Sequence, residues 1–188
     1  MKKNIFIFIF WCVALSYHAQ SPPYMFQNLF GSPTRYELAA SICKFNNDYL
    51  VVSLNDGFSS GNTEIDLRLV DENGSITKLK NINLPNINLV TTPNKPAINW
   101  QDTSIFIVGR MAGNVWHGML WKIDKNLDTL WHKEYTNPIP DSSLQFISSL
   151  IVDDGLILYG TSGQYDFYGD CFIMKVDFNG NELWRKTL

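Results

Sequence analysis

Leu120–Lys133 reads LWKIDKNLDTLWHK, and Ile173–Lys186 reads IMKVDFNGNELWRK. A looser copy, LRLVDENGSITKLK, begins at Leu67. All three share an aspartate, Asp71, Asp124 and Asp177, and both intervals are 53 residues (124 − 71 and 177 − 124). A constant period of this length marks a repeat architecture. Each copy reads as a strand, a tight turn and a returning strand. Val70, Ile123 and Val176 precede the aspartate, and an Asx-rich turn follows it. Asn73-Gly74 and Asn179-Gly180 are strong hairpin signals, because both residue types tolerate positive φ. The second copy has Leu127 in place of glycine, so its turn is expected to differ in detail. The returning strands carry Trp131 and Trp184, with Lys78 at the same place in the first copy.

Two further apolar runs lie upstream of each copy. The nearer ones, YLVVSL from Tyr49, IFIVGR from Ile105 and LILYGT from Leu156, are β-branched and aromatic, as strands prefer. Before each lies another run: Leu38–Phe45, Ala97–Trp100 and Phe146–Val152. The unit is therefore four strands joined by short turns, about 50 residues long, which falls in the range of propeller blades. These strands alternate poorly and are apolar on both sides. That pattern suits sheets covered on both faces by neighbours, whereas an open meander would show a polar face. The expected fold is all-β, a partial β-propeller of about three four-stranded antiparallel blades. Their expected bounds are about 37–82, 96–136 and 144–188.

The first 20 residues have the layout of a secretory signal peptide: Lys2 and Lys3, an apolar run from Ile5 to Leu15, and a polar turn through His18 to Gln20. The run is shorter than the roughly 20 apolar residues of a membrane-spanning helix, so no membrane span is expected. The competing assignment is a buried N-terminal strand or helix. The 188 residues carry a net charge of −3, and no basic patch points to nucleic acid. Phe10-Trp11 before Cys12 argues against a lipidated cysteine. Cys43 and Cys171 fall two units apart on different strand types, so they are expected to stay unpaired.

The pattern hydrophobic-Lys-hydrophobic-Asp-x-Asn-Gly-x-x-Leu-Trp-x-Lys is clear from Lys122 to Lys133 and from Lys175 to Lys186, and partial around Asp71. On these residues the chain resembles the secreted β-propeller repeats of Bacteroidetes exported proteins, and more widely the quinoprotein-like, tryptophan-docking propellers. The resemblance implies that Trp131 and Trp184 pack one blade on the next. It also implies export, with type IX secretion as the expected route, although the sorting domain that often closes such proteins is not in this sequence. Closed propellers have 4–8 blades. The chain is therefore expected to be the N-terminal part of a longer protein, with a small protein closing by oligomerisation as the alternative.

No catalytic constellation is evident, and neither cofactor nor metal is expected. Asp124, Asn126 and Asp128 mimic the first ligands of a calcium loop, but Thr129 and Tyr135 stand where an EF-hand needs Gly and Glu. Asx-turn bonds to backbone amides explain these side chains better. His117 and His132 do not cluster as metal ligands would. Binding is expected instead on the face bearing the long connections, since rigid scaffolds carry function on loops. Phe58, Arg110, Trp116, Tyr165, Phe167 and Tyr168 are the candidate binding residues, with Asp56, Glu64, Asp166 and Asp170 nearby. Aromatics beside carboxylates suit a glycan or a surface protein as partner. The competing role for these rings is to fold back and plug the rim. Two functions follow: a non-catalytic binding or scaffolding propeller, favoured here, or part of a quinoprotein-like propeller enzyme whose active site lies in other blades.

Overall fold

The computed structural model describes residues 37–55, 64–83, 88–91, 96–165 and 168–188. The expected signal peptide, Phe58 and Phe167 lie outside the described residues. Among the described residues there is no helix, and none long and apolar enough to cross a membrane. The first sheet is β1 (Glu37–Phe45), β2 (Asp48–Asn55), β3 (Glu64–Val70) and β4 (Ile76–Ile82), hydrogen-bonded in that order. The second holds β5 (Asn88–Thr91), β6 (Ala97–Asn99), β7 (Ser104–Ala112), β8 (His117–Ile123) and β9 (Thr129–Tyr135). The third is β10 (Ser143–Val152), β11 (Gly155–Tyr165), β12 (Tyr168–Val176) and β13 (Glu182–Thr187), again in sequence order. Every pairing is antiparallel. The chain is a partial β-propeller of three blades.

Two boundaries differ from the sequence expectation. The second blade starts at Asn88 rather than near residue 96, because its first strand comes in two pieces. Val90 pairs with Arg110 and Ile98 with Ile105, so β5 and β6 both lie along β7. The sequence between them contains Pro93 and reaches Pro96, and proline has no N–H to give a ladder. The long connection expected between the second and third strands of the third blade is mostly strand, with Tyr165 paired to Tyr168.

The three aspartate turns share one backbone. Asp71, Asp124 and Asp177 each donate an N–H to the carbonyl four residues on, at Ser75, Asp128 and Asn181. Each carboxylate accepts two amides in return, from Asn73 and Ser75, from Asn126 and Asp128, and from Asn179 and Asn181, at 2.8–2.9 Å. The amide bonds, led by that of Asn181, hold the Asp177 carboxyl below the usual carboxylate range. The expected difference at Leu127 is absent. Leu127 takes φ 65°, beside 79° at Gly74 and 74° at Gly180. Its side chain is 2% exposed in the core between the first two blades, so burial offsets the strain of a left-handed leucine.

The blades stack face to face. Leu50, Val52 and Leu67 of the first pack with Ile107, Met119 and Trp121 of the second. Phe106, Val108 and Leu120 on the second blade's other face pack with Phe146, Leu158 and Met174 of the third. Met119, Leu120 and Trp121 are consecutive, yet all are buried, which is why the strands read as unbroken apolar runs.

Contacts on the outer strands recur at a fixed step. Lys80 Nζ donates to Asp128 Oδ1 at 2.6 Å, and Lys133 Nζ to Asn181 Oδ1 at 2.8 Å, each spanning 48 residues. Lys78 reaches Asn126 Oδ1 at 3.4 Å over the same separation. Trp131 lies edge-on to Phe106 and against the third blade's turn, where a Cβ on Gly180 would come within 2.9 Å of the indole. Tyr135 adds a hydrogen bond from its hydroxyl to the Gly180 carbonyl at 2.7 Å. Burial, with the charges of Asp177 and Glu182 behind it, pushes that phenol well above its ordinary pKa. Trp184, at the position equivalent to Trp131, is 40% exposed, and Lys186 hangs over its ring at 5.9 Å.

Candidate functional site

The candidate binding residues on the long-connection face divide. Tyr165 and Tyr168 are the last and first residues of β11 and β12 and pair across that hairpin. Arg110 and Trp116 come together, but not as an exposed binding pair. Trp116 is 8% exposed, the inward-folded role that competed with binding for these rings. Its amide donates to Ser143 Oγ at 3.0 Å, its carbonyl accepts from the Leu144 amide at 2.7 Å, and the Arg110 guanidinium lies 3.4 Å from its ring centroid. Arg110 also donates to Gln145 Oε1 at 2.7 Å, and Gln145 to Thr161 Oγ1 at 3.0 Å. The pull of a cation on an aromatic face and the burial of a large ring both favour folding inward. This group clamps the second blade to the third. His117 contacts Glu134 on the adjacent strand.

A shallow cleft of about 330 Å³ on the same face is lined by residues including Ile139, Asp170 and Arg185. Its guanidinium is committed to Glu182 at 2.7 and 3.1 Å and to the Thr136 carbonyl at 3.0 Å. The charge there serves the fold.

The more open site lies where the first strands of all three blades converge. Cys43 of β1, Pro96–Ile98 and Trp100 around β6, and Ser148–Ile151 of β10 line a cleft of about 400 Å³. Trp100 stacks on Phe45 with centroids 6.1 Å apart and planes 22° off parallel, while remaining 58% exposed. Leu150 beside it is 64% exposed. The stack fixes the indole, and burial of Phe45 at 2% exposure fixes the stack. This lining has no charged side chain; its polar groups are the Ser148 and Ser149 hydroxyls, the Trp100 indole N–H, the Cys43 thiol and backbone. It is a preorganised apolar wall with a few hydrogen-bonding groups, as small-ligand sites commonly are. Neither Cys43 nor Cys171 is in a disulfide.

A second feature escaped the sequence reading. Arg68 donates to Asp66 Oδ2 at 2.9 Å, to Ser53 Oγ at 2.7 Å and to Glu37 Oε2 at 3.3 Å, and Asn81 donates to Asp66 Oδ1 at 2.8 Å. Asp66 and Arg68 are 2% and 6% exposed. Adding 53 and then 106 to these numbers gives Met119 and Phe172, and Trp121 and Met174, all apolar core residues. The first blade thus carries charge where the other two carry grease, and the repeat alignment alone contained that signal.

No protein-family profile matches this chain, and no curated protein sequence does. Among solved structures, the chain is similar to a subtype N10 neuraminidase-like protein of A/little yellow-shouldered bat/Guatemala/060/2010, with a TM-score of 0.54 and 14% identity. The match covers 80% of this chain and 44% of that one. At that identity the likeness establishes a shared propeller-type fold. The chain spans under half the length of that protein.

Proposed function

We propose that this chain is an exported, non-catalytic propeller segment that serves as a binding surface, with the cleft around Trp100 as its ligand site. The carrying observation is the 58% exposed indole of Trp100, stacked on Phe45, on a wall without charged side chains. An aromatic face flanked by hydroxyls suits a neutral ligand that has both an apolar face and hydroxyls. A neutral glycan fits that description better than a charged peptide, whose charges would find no partner in this lining. The cleft volume, about 400 Å³, lies within the usual range for small-ligand sites. Export, of the kind found in Bacteroidetes-type propeller proteins, rests on Lys2, Lys3 and the apolar run that follows.

The test is calorimetric titration with a panel of neutral oligosaccharides, repeated on Trp100→Ala. Binding that disappears in the variant supports the site. Binding that Trp100→Ala leaves intact, or silence across the panel, rejects it. Fractionation of cells expressing the chain with and without residues 1–20 tests export separately.

A further inference from the structure

The hydrogen bonds an ordinary hexose needs and those the Trp100 wall can supply do not match. Among the described lining residues, strong hydrogen-bonding side chains are few: Ser148 and Ser149, whose hydroxyls donate and accept, and Trp100, whose indole N–H only donates. None of these groups takes part in a hydrogen bond among the described residues, so each is open to a ligand. Ser148 and Ser149 are consecutive, opposite Tyr159 and Leu158, and follow the irregularity between Phe146 and Ser148. Successive side chains of a strand point to opposite faces. Both serines nevertheless line the cleft, because β10 is the edge strand of its sheet and the cleft runs along that edge.

The next residues carry no such group. Leu150 is 64% exposed, and Ile151 and Ile98 are half-buried. A single exposed leucine means little. Leu150 and Trp100 share one cleft, however, and two large exposed apolar side chains there form a patch that a ligand can cover. The wall therefore has a short hydroxyl-bearing end at Ser148 and Ser149 and a longer apolar end at Leu150. A hexose carries hydroxyls around its whole rim. Turned toward the serines, it presents its remaining hydroxyls to the apolar end, where each loses water without gaining a partner. A sugar with a methyl group in place of its hydroxymethyl group avoids that loss.

We propose that the Trp100 cleft selects a 6-deoxyhexose. The apolar face of the ring lies on the indole, a hydroxyl-bearing edge meets Ser148 and Ser149, and the methyl group packs against Leu150. This rests on the neutral-glycan reading of the cleft and narrows it to one class of sugar.

Calorimetric titration of the full chain with sugar pairs that differ only in methyl against hydroxymethyl tests it: D-fucose with D-galactose, L-fucose with L-galactose, and L-rhamnose with L-mannose. The deoxy member of the pair that binds should bind about tenfold more tightly, the low end for one carbon-sized apolar contact. Leu150→Ser, at an exposed position, should bring that ratio close to unity. Trp100→Ala should abolish binding of both members. Equal or tighter binding of the hydroxymethyl sugar in every pair overturns the inference and leaves the glycan reading standing. A preference that Leu150→Ser does not reduce has the same consequence, as does Trp100-dependent binding of other neutral oligosaccharides with no response to any deoxy sugar. Silence toward every neutral sugar removes the glycan reading itself, and this inference with it.

Discussion

Replacing Leu127 separates two opposing effects at one position. Its φ of 65° lies in the left-handed region, which costs a residue with a Cβ about 1–2 kcal/mol. Its side chain, 2% exposed among Trp121, Ile123 and Leu69, contributes what a core leucine contributes. Leu127→Ala keeps the backbone cost and opens a cavity, so it should destabilise by about 2–5 kcal/mol. Leu127→Gly opens the same cavity but relieves the backbone. At a positive-φ site that relief exceeds glycine's entropic cost, leaving Leu127→Gly about 1 kcal/mol more stable than Leu127→Ala. At an ordinary strand or helix position the order reverses by roughly 0.5–1 kcal/mol. Urea unfolding followed by tryptophan fluorescence, with both variants and the parent run together, reads the difference directly. An alanine variant more stable than the glycine variant would refute the shared turn geometry. A glycine variant as stable as the parent would refute the burial of Leu127.

Arg68→Met should cost about 3–5 kcal/mol in the same assay, because it leaves Asp66 and Glu37 without their buried cation. Tyr135→Phe should cost about 1 kcal/mol by removing the bond to the Gly180 carbonyl. Since the folded phenol is held above its unfolded pKa of 10.0, its contribution is complete below that value and is lost as pH rises above it. Parental stability should therefore fall by about 1.4 kcal/mol per pH unit in that alkaline window, a share absent from Tyr135→Phe. On the acid side, the bond from Lys80 holds the Asp128 carboxyl below its unfolded value. That contribution is present above the unfolded value and is lost as pH drops through the folded one. Lys80→Met should flatten the decline of thermal midpoint measured through that range.

Much of the fold was legible because a repeat exposes its own period. Asp71, Asp124 and Asp177 located three identical turns, and consecutive apolar residues such as Met119-Leu120-Trp121 announced sheets buried on both faces. Proline positions were visible too, but not that β5 would rejoin β7 before Pro93. The Leu127 turn was misjudged because local propensity ranks leucine poorly at positive φ, whereas a core pocket overrides propensity. The binding residues were harder. Loop aromatics such as Trp116 look alike in sequence whether they face solvent or an adjacent arginine, and of the residues that decide, Ser143 and Gln145 arrive from a different blade. Trp100 reads in the sequence as the end of an apolar strand run, and only its stacking on Phe45 sets it apart as an exposed ring.

By itself the sequence determined strand order, turn positions and blade count within the chain, because hydrogen-bonded hairpins and the spacing of apolar residues are local properties written at fixed intervals. Only the tertiary structure decided which side chains are exposed. It turned Trp116 inward and left Trp100 open, and it placed a buried charge network on the first blade and left Tyr159 and Trp184 of the third partly exposed. Exposure depends on what packs from another blade, and no local pattern carries that information.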